Sequence, residues 1–316
     1  MERCHIAIVG DVMLDRYYRG TASRLSPEAP VPVVEIVEES EHLGGGANVA
    51  YNLSSLGVQA SIFGVVGDDR SGEHLRLLLE GLGIESSGLI VQRGRTTTVK
   101  TRVIADGQHI VRADQETKER IGSQVQKNLL ASLNEKIEQL DGLILQDYNK
   151  GVFSPEVIEQ ILSLALAHNI PTFVDPKFEN FFAFKASTLF KPNRKETEDA
   201  LQCRLTTLDD KLKAAHELKS RLRSRYVVLT LGSDGMILVG SDDDPVLVPT
   251  RSIQVADISG AGDTVIAILA AASSVGATMR EAVELANHAA GIVCEQVGTV
   301  PVTRQMLVTM GSNVHA

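Results

Sequence analysis

The sequence predicts an α/β protein with a mostly parallel central sheet. From about residue 122 onward, short apolar strands alternate with helical segments, and the strands are nearly continuous runs of hydrophobic residues. Such strands are typical of a parallel sheet that is covered on both faces. Polar residues stand at the predicted carboxyl ends of the strands, where open α/β sheets bind ligands. We therefore expect a single domain over residues 1–316 with one shared crevice.

The individual elements follow from apolar runs, helical periodicity and turn residues. Strands are predicted at 6–10, 60–66, 142–146, 171–174, 189–190, 226–231 and 236–239, the last of them antiparallel to the strand before it. Helices are predicted at about 44–56, 72–82, 122–140, 154–168, 194–201, 207–223, 264–275, 279–296 and 303–310. An extended run at 246–255 precedes a glycine-rich turn.

Two segments depart from this alternation and predict a small β-lid at about 12–38 and 96–113. The first carries three prolines within residues 26–34, and proline is confined to edge strands or irregular segments. The second reads as a β-hairpin with a turn at Asp106-Gly107, which is a strong hairpin signal.

Composition excludes some classes of partner. The formal net charge is −9, so non-specific nucleic-acid binding is not expected. Aromatic residues make up 4% and Trp is absent, which argues against nucleic-acid or polysaccharide binding by stacking. The hairpin is nevertheless basic, with Lys100, Arg102 and Arg112. Two interpretations stay open: these cations hold an anionic ligand, or they are idle charges on an edge strand.

The compartment is predicted from cysteine usage and from hydropathy. Cys4, Cys203 and Cys294 have neither metal-ligand nor disulfide spacing, which favours a reducing cytoplasm. The sequence shows no signal peptide and no apolar run of membrane-spanning length.

The Gly260-Ala261-Gly262-Asp263 turn is the strongest candidate for chemistry. It lies where an extended segment changes into a small, apolar helix, and free N–H groups at a helix start bind anions. An acidic residue there would repel a phosphate, so Asp263 is better explained as a base that takes a proton from a hydroxyl. The alternative is a helix N-cap with a flexible approach.

Polar and glycine-rich residues near the amino terminus form a second candidate region. Asp11 and Asp15 follow the first strand and either hydrogen-bond sugar hydroxyls or serve turn chemistry. The Gly44-Gly45-Gly46 run opens a helix and allows close ligand approach. It fits neither the dinucleotide nor the P-loop spacing. An NAD-dependent dehydrogenase would need a Gly-x-Gly-x-x-Gly turn after the first strand, and Gly10-Asp11-Val12 does not supply it.

Three motifs together resemble the ribokinase-like carbohydrate kinases: the 260–263 turn after Asp257, Gly-Gly-Gly-Ala-Asn at 44–48, and Asn193-x-x-Glu196. Residues 10–17, 26–34 and 147–151 more specifically resemble the D-glycero-β-D-manno-heptose-7-phosphate kinases. The resemblance covers essentially the whole chain and implies a three-layer α/β/α fold with a β-lid. It also implies phosphorylation of the anomeric O1 hydroxyl by ATP with Mg²⁺, a step toward the lipopolysaccharide core.

The resemblance implies roles for single residues. Asp263 would be the base, and the anion hole would be formed by Gly260, Ala261 and Gly262. Sugar hydroxyls would be held by Asp11, Asp15, Gly45 and Asn48, with Asp147 as a further substrate-binding candidate. The sugar phosphate would be held by cations among Lys100, Arg102, Arg112, Lys150 and Lys177. The nucleotide site would be lined by Asn193, Glu196, Thr230, Gly232, Gly235 and Asn287.

Metal ions are implied at two places. Glu196 would reach Mg²⁺ through water, and Asp257 and Ser259 match positions that bind a monovalent cation such as K⁺ in many relatives. Many heptose kinases of this group carry a second, nucleotidyltransferase domain. No His-x-Gly-His motif is present in the sequence, so we expect this chain not to make the ADP-sugar by itself.

Two alternatives stay open. The acceptor could be another phosphosugar, such as fructose 1-phosphate or tagatose 6-phosphate, although the lid sequence argues against it. A non-catalytic sugar-phosphate-binding regulator is a further alternative, but it would be expected to lose the acidic residue at 263. Because the lid presents an exposed edge strand, we expect a homodimer through the lid.

Overall fold

Two β-sheets organise the chain in a computed structural model that describes residues 4–240, 244–250, 256–296, 298 and 300–311. The strands within these residues are β1 His5–Gly10, β2 Val12–Leu25, β3 Pro32–Gly45, β4 Gln59–Gly67, β5 Glu85–Gln92, β6 Thr98–Ala105, β7 Gln108–Gln115, β8 Gly142–Gln146, β9 Thr172–Asp175, β10 Leu189–Phe190, β11 Tyr226–Thr230, β12 Met236–Val239 and β13 Val246–Val248. The α-helices are α1 Gly46–Ser55, α2 Arg70–Gly81, α3 Ser123–Lys136, α4 Pro155–Ala167, α5 Arg194–Leu201, α6 Leu208–Leu222, α7 Ala261–Ser274, α8 Met279–Cys294 and α9 Arg304–Gly311.

The larger sheet has nine strands in the order β13-β12-β11-β10-β9-β8-β1-β4-β5. The seven neighbouring strands β5, β4, β1, β8, β9, β10 and β11 pair in parallel. At one edge, β12 pairs antiparallel with β11 and β13 pairs antiparallel with β12. The predicted antiparallel pairing of β12 with β11 is therefore confirmed. Parallel pairing brings the carboxyl ends of seven strands to the same edge of the sheet.

Two hydrophobic cores cover the two faces of this sheet. Successive side chains of a strand point to opposite faces, so Ile6 and Ile8 of β1 enter one core while Ala7 and Val9 enter the other. Helices α1, α2, α7 and α8 contribute to the first core, and α3, α4 and α6 contribute to the second. The predicted three-layer α/β/α architecture is confirmed.

The smaller sheet has four strands in the order β3-β2-β6-β7 and contains both segments of the predicted lid. The β6–β7 hairpin turns at Asp106 and Gly107 with φ of 51° and 77°, the backbone that an Asp-Gly hairpin turn requires. Pro32 is the first residue of the edge strand β3, which is a position that tolerates proline. The lid strands extend beyond the predicted limits of residues 38 and 113, to Gly45 and Gln115.

Two expectations about strands need correction. The edge strand β5 was not predicted, because its sequence Glu-Ser-Ser-Gly-Leu-Ile-Val-Gln has neither clean alternation nor a long apolar run. The extended run predicted at 246–255 contains the short strand β13, and residues 251–255 lie outside the described part of the chain.

Candidate active site

Polar residues that end or follow neighbouring strands meet at the carboxyl edge of the large sheet. Gln146 ends β8, Asp175 ends β9 and Lys191 directly follows β10. Asp175 Oδ2 lies 3.0 Å from Lys191 Nζ, and Gln146 Nε2 donates to the same Oδ2 at 3.1 Å. All three side chains are buried, so their charges and dipoles act in a medium that screens them poorly.

Helix α7 begins at this edge with the predicted glycine-rich turn. Gly260 is its N-cap residue with φ of 81°, a left-handed conformation that favours glycine, and no side chain caps the helix start. The first N–H groups of α7 are therefore not used by a side-chain cap. A Cβ built on Gly262 would lie 3.7 Å from Lys191 Nζ, which places a buried cation beside the helix start. Backbone donors and a cation together favour an anion.

Asp263 in the first turn of α7 is the centre of a hydrogen-bond network. Its Oδ2 accepts from Asn48 Nδ2 at 2.8 Å, and its Oδ1 accepts from Gln146 Nε2 at 3.1 Å and from Tyr148 Oη at 2.8 Å. Burial raises the pKa of Asp263 to about 6; Asn48 opposes this rise and the charge of Asp175 adds to it. A carboxylate with that pKa can act as a general base near neutral pH.

The glycines before α1 bring Asn48 against Asp263. Gly45 has φ of 59°, and a Cβ on it would lie 2.6 Å from the backbone oxygen of Asp11. Gly46 N–H donates to that same oxygen at 2.8 Å. One turn further along α1, Asn52 accepts from Thr264 Oγ1 at 3.1 Å, which fixes α1 against α7. The glycine run therefore sets the position of α1 relative to Asp263.

The three aspartates predicted to bind the substrate lie in different surroundings. Asp11 is buried, and its carboxylate accepts the backbone N–H of Tyr148 at 2.7 Å and of Lys150 at 3.0 Å. It thus anchors the loop after β8, and its contact with sugar hydroxyls stays a prediction. Burial, together with the charge of Asp11, raises the pKa of Asp147 to about 7. Asp15, on β2, pairs with Arg102 of β6 within the lid.

The predicted phosphate-binding cations differ in their pairing. Four form ion pairs with carboxylates: Arg102 with Asp15, Arg112 with Asp114, Lys150 with Glu116, and Lys177 with Glu196. Lys100 has no ion-pair partner among the described residues, and its Nζ lies 5.0 Å from the centre of the Tyr148 ring. Burial lowers the pKa of Lys100. A desolvated amine without a carboxylate is well suited to receive an anionic ligand.

A cleft of about 960 Å³ opens beside the start of α7. All of the residues predicted for the nucleotide site line it: Asn193, Glu196, Thr230, Gly232, Gly235 and Asn287. Asn193 and Glu196 form a reciprocal capping box at the start of α5, so this motif shapes a helix terminus as well as the cleft wall. Asn287 Nδ2 donates to the backbone oxygen of Pro249 at 2.9 Å and holds α8 to the segment after β13.

The residues present fit a weakly held magnesium ion. No cluster of three or more acidic, His or Cys side chains suited to a metal was found in the described ranges. Magnesium in kinases is bound by one or two carboxylates together with phosphates and water. Glu196 can supply such a carboxylate, because it lines the cleft, where among the described residues it pairs with the amine of Lys177 and the start of α5.

Asp257 precedes the anion-binding turn. Its Oδ1 accepts Ser259 N–H at 2.8 Å and its Oδ2 accepts Gly298 N–H at 3.2 Å. Burial alone would raise the pKa of Asp257, but these backbone donors outweigh it and the pKa is lowered. An ionised carboxylate beside this loop is compatible with a monovalent cation, which stays a prediction.

Sequence reasoning missed Gln146, Lys191 and Asn52 as site residues. Gln146 and Lys191 stand at the ends of apolar strands, and this position is the signal that could have identified them. Asn52 gave no such signal, because its partners Thr264 and the N–H of Val302 are distant in the chain. Separately, none of the helices in the described part of the chain has the length and hydropathy needed to span a bilayer.

Phosphoryl transfer to an alcohol is the chemistry that these elements suit, since they combine a buried carboxylate, a helix start without a side-chain cap and a cleft of about 960 Å³. The model of the pfkB family of carbohydrate kinases matches residues 4–305, and the chain belongs to this family. It is therefore a phosphotransferase with an alcohol group as acceptor.

Three relatives illustrate this membership. The chain is 39% identical over 310 residues to the bifunctional protein HldE of Helicobacter pylori strain J99, covering 98% of this chain and 67% of that protein. A structure of phosphofructokinase-2 from Escherichia coli in complex with potassium matches with a TM-score of 0.79, 21% identity and 99% of each chain covered. Arabidopsis thaliana ribokinase, complexed with ribose and ATP, matches with a TM-score of 0.75 and 18% identity over 96% of this chain and 97% of that one. The two structures show the ribokinase-like fold.

Proposed function

We propose that this protein is a single kinase domain that phosphorylates D-glycero-β-D-manno-heptose 7-phosphate on its anomeric O1 hydroxyl. The product is the 1,7-bisphosphate, which serves ADP-heptose and lipopolysaccharide core synthesis in the cytoplasm. The observation that carries the proposal is Asp263, a buried carboxylate with a pKa of about 6 beside an uncapped helix start. The similarity to HldE of Helicobacter pylori and the motifs at 26–34 and 147–151 support heptose phosphate as the acceptor.

The mechanism follows from the site. ATP lies in the 960 Å³ cleft with its γ-phosphate toward the start of α7. Asp263 takes the proton of the acceptor hydroxyl while the N–H groups at 260–262 and the Lys191 amine stabilise the phosphoryl oxygens. Mg²⁺ brought with ATP would neutralise phosphate charge, and Glu196 would hold it through water. A K⁺ ion near Asp257 and Ser259 would stabilise the loop that leads into the anion hole.

The acceptor lies between the sheet and the lid. Asp15 and Asn48 offer oxygen and amide groups to sugar hydroxyls, and Lys100 offers its unpaired amine to the 7-phosphate. Strand β2 begins directly after Asp11, and strand β3 leads directly into α1. Movement of the lid is therefore connected to the sugar side of the site. Closure over the acceptor would exclude water and limit wasteful ATP hydrolysis.

A panel of acceptors tests this function. We expect ADP release with Mg·ATP and the β-heptose 7-phosphate, and little with its α anomer, fructose 6-phosphate, fructose 1-phosphate, tagatose 6-phosphate or ribose. The Asp263→Asn protein serves as the control for contaminating kinases. Preferential turnover of another phosphosugar would replace the heptose assignment, and ATP binding without turnover of any sugar would favour a regulator.

The lid also supports a proposed homodimer. Large hydrophobic side chains are exposed on its strands and connections: Leu25, Val31, Ile36, Val37 and Val111. Exposed apolar side chains near the edge strands of a sheet can mark a pairing surface. We expect a dimeric mass in solution and a monomer for Val37→Glu. Leu166→Glu is the matched control, since Leu166 on α4 is 74% exposed and Val37 is 79% exposed. A dimeric mass for the Val37 variant would contradict the lid interface.

A further inference from the structure

We propose that Tyr148 and Gln146 are positioning residues that occupy Oδ1 of Asp263 and leave Oδ2 as the atom that accepts the proton of the acceptor hydroxyl. The inference rests on the proposed role of Asp263 as the base, and it adds which oxygen reacts and what holds it. Gln146 is the last residue of β8, and Tyr148 follows it after Asp147.

The two oxygens of the Asp263 carboxylate accept different numbers of hydrogen bonds. Oδ1 accepts from Gln146 Nε2 at 3.1 Å and from Tyr148 Oη at 2.8 Å. Oδ2 accepts from Asn48 Nδ2 alone among the described residues, at 2.8 Å. Each carboxylate oxygen offers about two lone-pair sites. Oδ1 is therefore filled, and Oδ2 has one site left for a substrate hydroxyl.

Tyr148 is held from several sides. Its backbone N–H donates to the buried carboxylate of Asp11 at 2.7 Å. The amines of Lys100 and Lys177 lie 5.0 Å and 5.4 Å from the centre of its ring, within the range of a cation–π contact. Lys100 belongs to the lid, and Lys177 lines the nucleotide cleft. Tyr148 is thus held by contacts on both the sugar side and the nucleotide side of the site, and these contacts direct its hydroxyl to Asp263.

Gln146 separates two buried carboxylates. One amide group, with two hydrogens, donates to Asp263 Oδ1 and to Asp175 Oδ2, both at 3.1 Å. Asp175 in turn pairs with Lys191 at 3.0 Å. The amide therefore orients Asp263 and lessens its repulsion from Asp175, which otherwise disfavours the ionised base.

The reaction step balances with Oδ2 as the base. The acceptor oxygen forms a bond to the γ-phosphorus, and the bond from that phosphorus to the β,γ-bridging oxygen breaks. ADP leaves with the electron pair of the broken bond. The hydroxyl proton moves to Oδ2 of Asp263, while Oδ1 keeps its two donors from Gln146 and Tyr148.

Tyr148→Phe tests the proposal, because it removes the hydroxyl and keeps the ring that Lys100 and Lys177 contact. We expect kcat to fall about tenfold, with the KM for ATP unchanged, since one hydrogen bond to a charged group is lost. The Tyr148 hydrogen bond lowers the pKa of Asp263, so its loss should move the acidic limb of the kcat/KM profile about half a pH unit upward. Tyr226→Phe, a tyrosine outside the cleft beside Arg225, is the matched control.

Two results would overturn the proposal. One is a Tyr148→Phe enzyme with unchanged kcat and an unmoved acidic limb. The other is a several-fold rise in acceptor-independent ATP hydrolysis in this variant. That result would show that the Tyr148 hydroxyl shields Asp263 and has to move away before the reaction, and does not position the carboxylate.

A second readout needs no acceptor. The Asp263 carboxyl carbon, identified by its absence in Asp263→Asn, is titrated by NMR in the wild type and in Tyr148→Phe. A higher pKa of Asp263 in Tyr148→Phe than in the wild type supports the positioning role, even if the acceptor is not a heptose phosphate. Identical titration curves refute the positioning role. Failure of this inference is thereby distinguishable from failure of the proposed function.

Discussion

Replacing Asp263 with asparagine is expected to lower kcat at least about a hundredfold while ATP binding is roughly kept. Asparagine preserves the volume of the side chain but cannot take the proton of the acceptor hydroxyl. The cleft residues proposed to bind ATP are not changed by this substitution. kcat and the KM for ATP are measured on the acceptor that the wild type phosphorylates best, and Asp209→Asn, an exposed side chain on α6, is the matched control.

The pH dependence adds a second test of the same residue. Because the pKa of Asp263 is raised to about 6, the ionised base is present above this pH and is lost as the pH falls through it. The wild-type kcat/KM should therefore decrease as the pH is lowered below about 6. This acidic limb of the pH profile should be missing from the residual activity of Asp263→Asn. Near-normal turnover in that variant would remove Asp263 as the base.

Replacing Lys100 with methionine is expected to raise the KM for the phosphosugar about a hundredfold and to leave the KM for ATP unchanged. Methionine keeps an apolar stem beside the Tyr148 ring and removes only the charge. Lys100 is the strongest phosphate candidate because it is desolvated and lacks an ion-pair partner among the described residues, whereas Arg112 is exposed and paired with Asp114. We expect Arg112→Ala to have a smaller effect.

The unphosphorylated heptose distinguishes phosphate binding from a role in lid structure. Its weaker turnover should change little in Lys100→Met, since the lost charge has no phosphate to contact. An equal loss for both sugars would show that Lys100 acts through the lid or through its contact with Tyr148, and not through the phosphate. Lys127→Met, an exposed residue on α3, controls for removal of a surface lysine.

Local patterns determined much of the fold. The apolar strands and the amphipathic or capped helices were predictable because their periodicity and turn residues act within a few positions of the chain. The Asp-Gly turn and the prolines predicted the lid for the same reason, since each restricts the backbone where it stands. The edge strand β5 escaped prediction because its pairing with β4, and not its own pattern, makes it a strand.

The sequence by itself also indicated the glycine-rich turn, Asp263 as a base and a family of sugar kinases. Only the tertiary structure decided what surrounds that base: Asn48, Gln146 and Tyr148 come from distant parts of the chain and meet Asp263 at one edge of the sheet. It also decided that Asp11 anchors a loop and that Lys100, among the described residues, lacks the carboxylate partner that Arg102 has. Hydrogen bonding and charge pairing depend on distance in space, and parallel strand register, not sequence spacing, sets those distances.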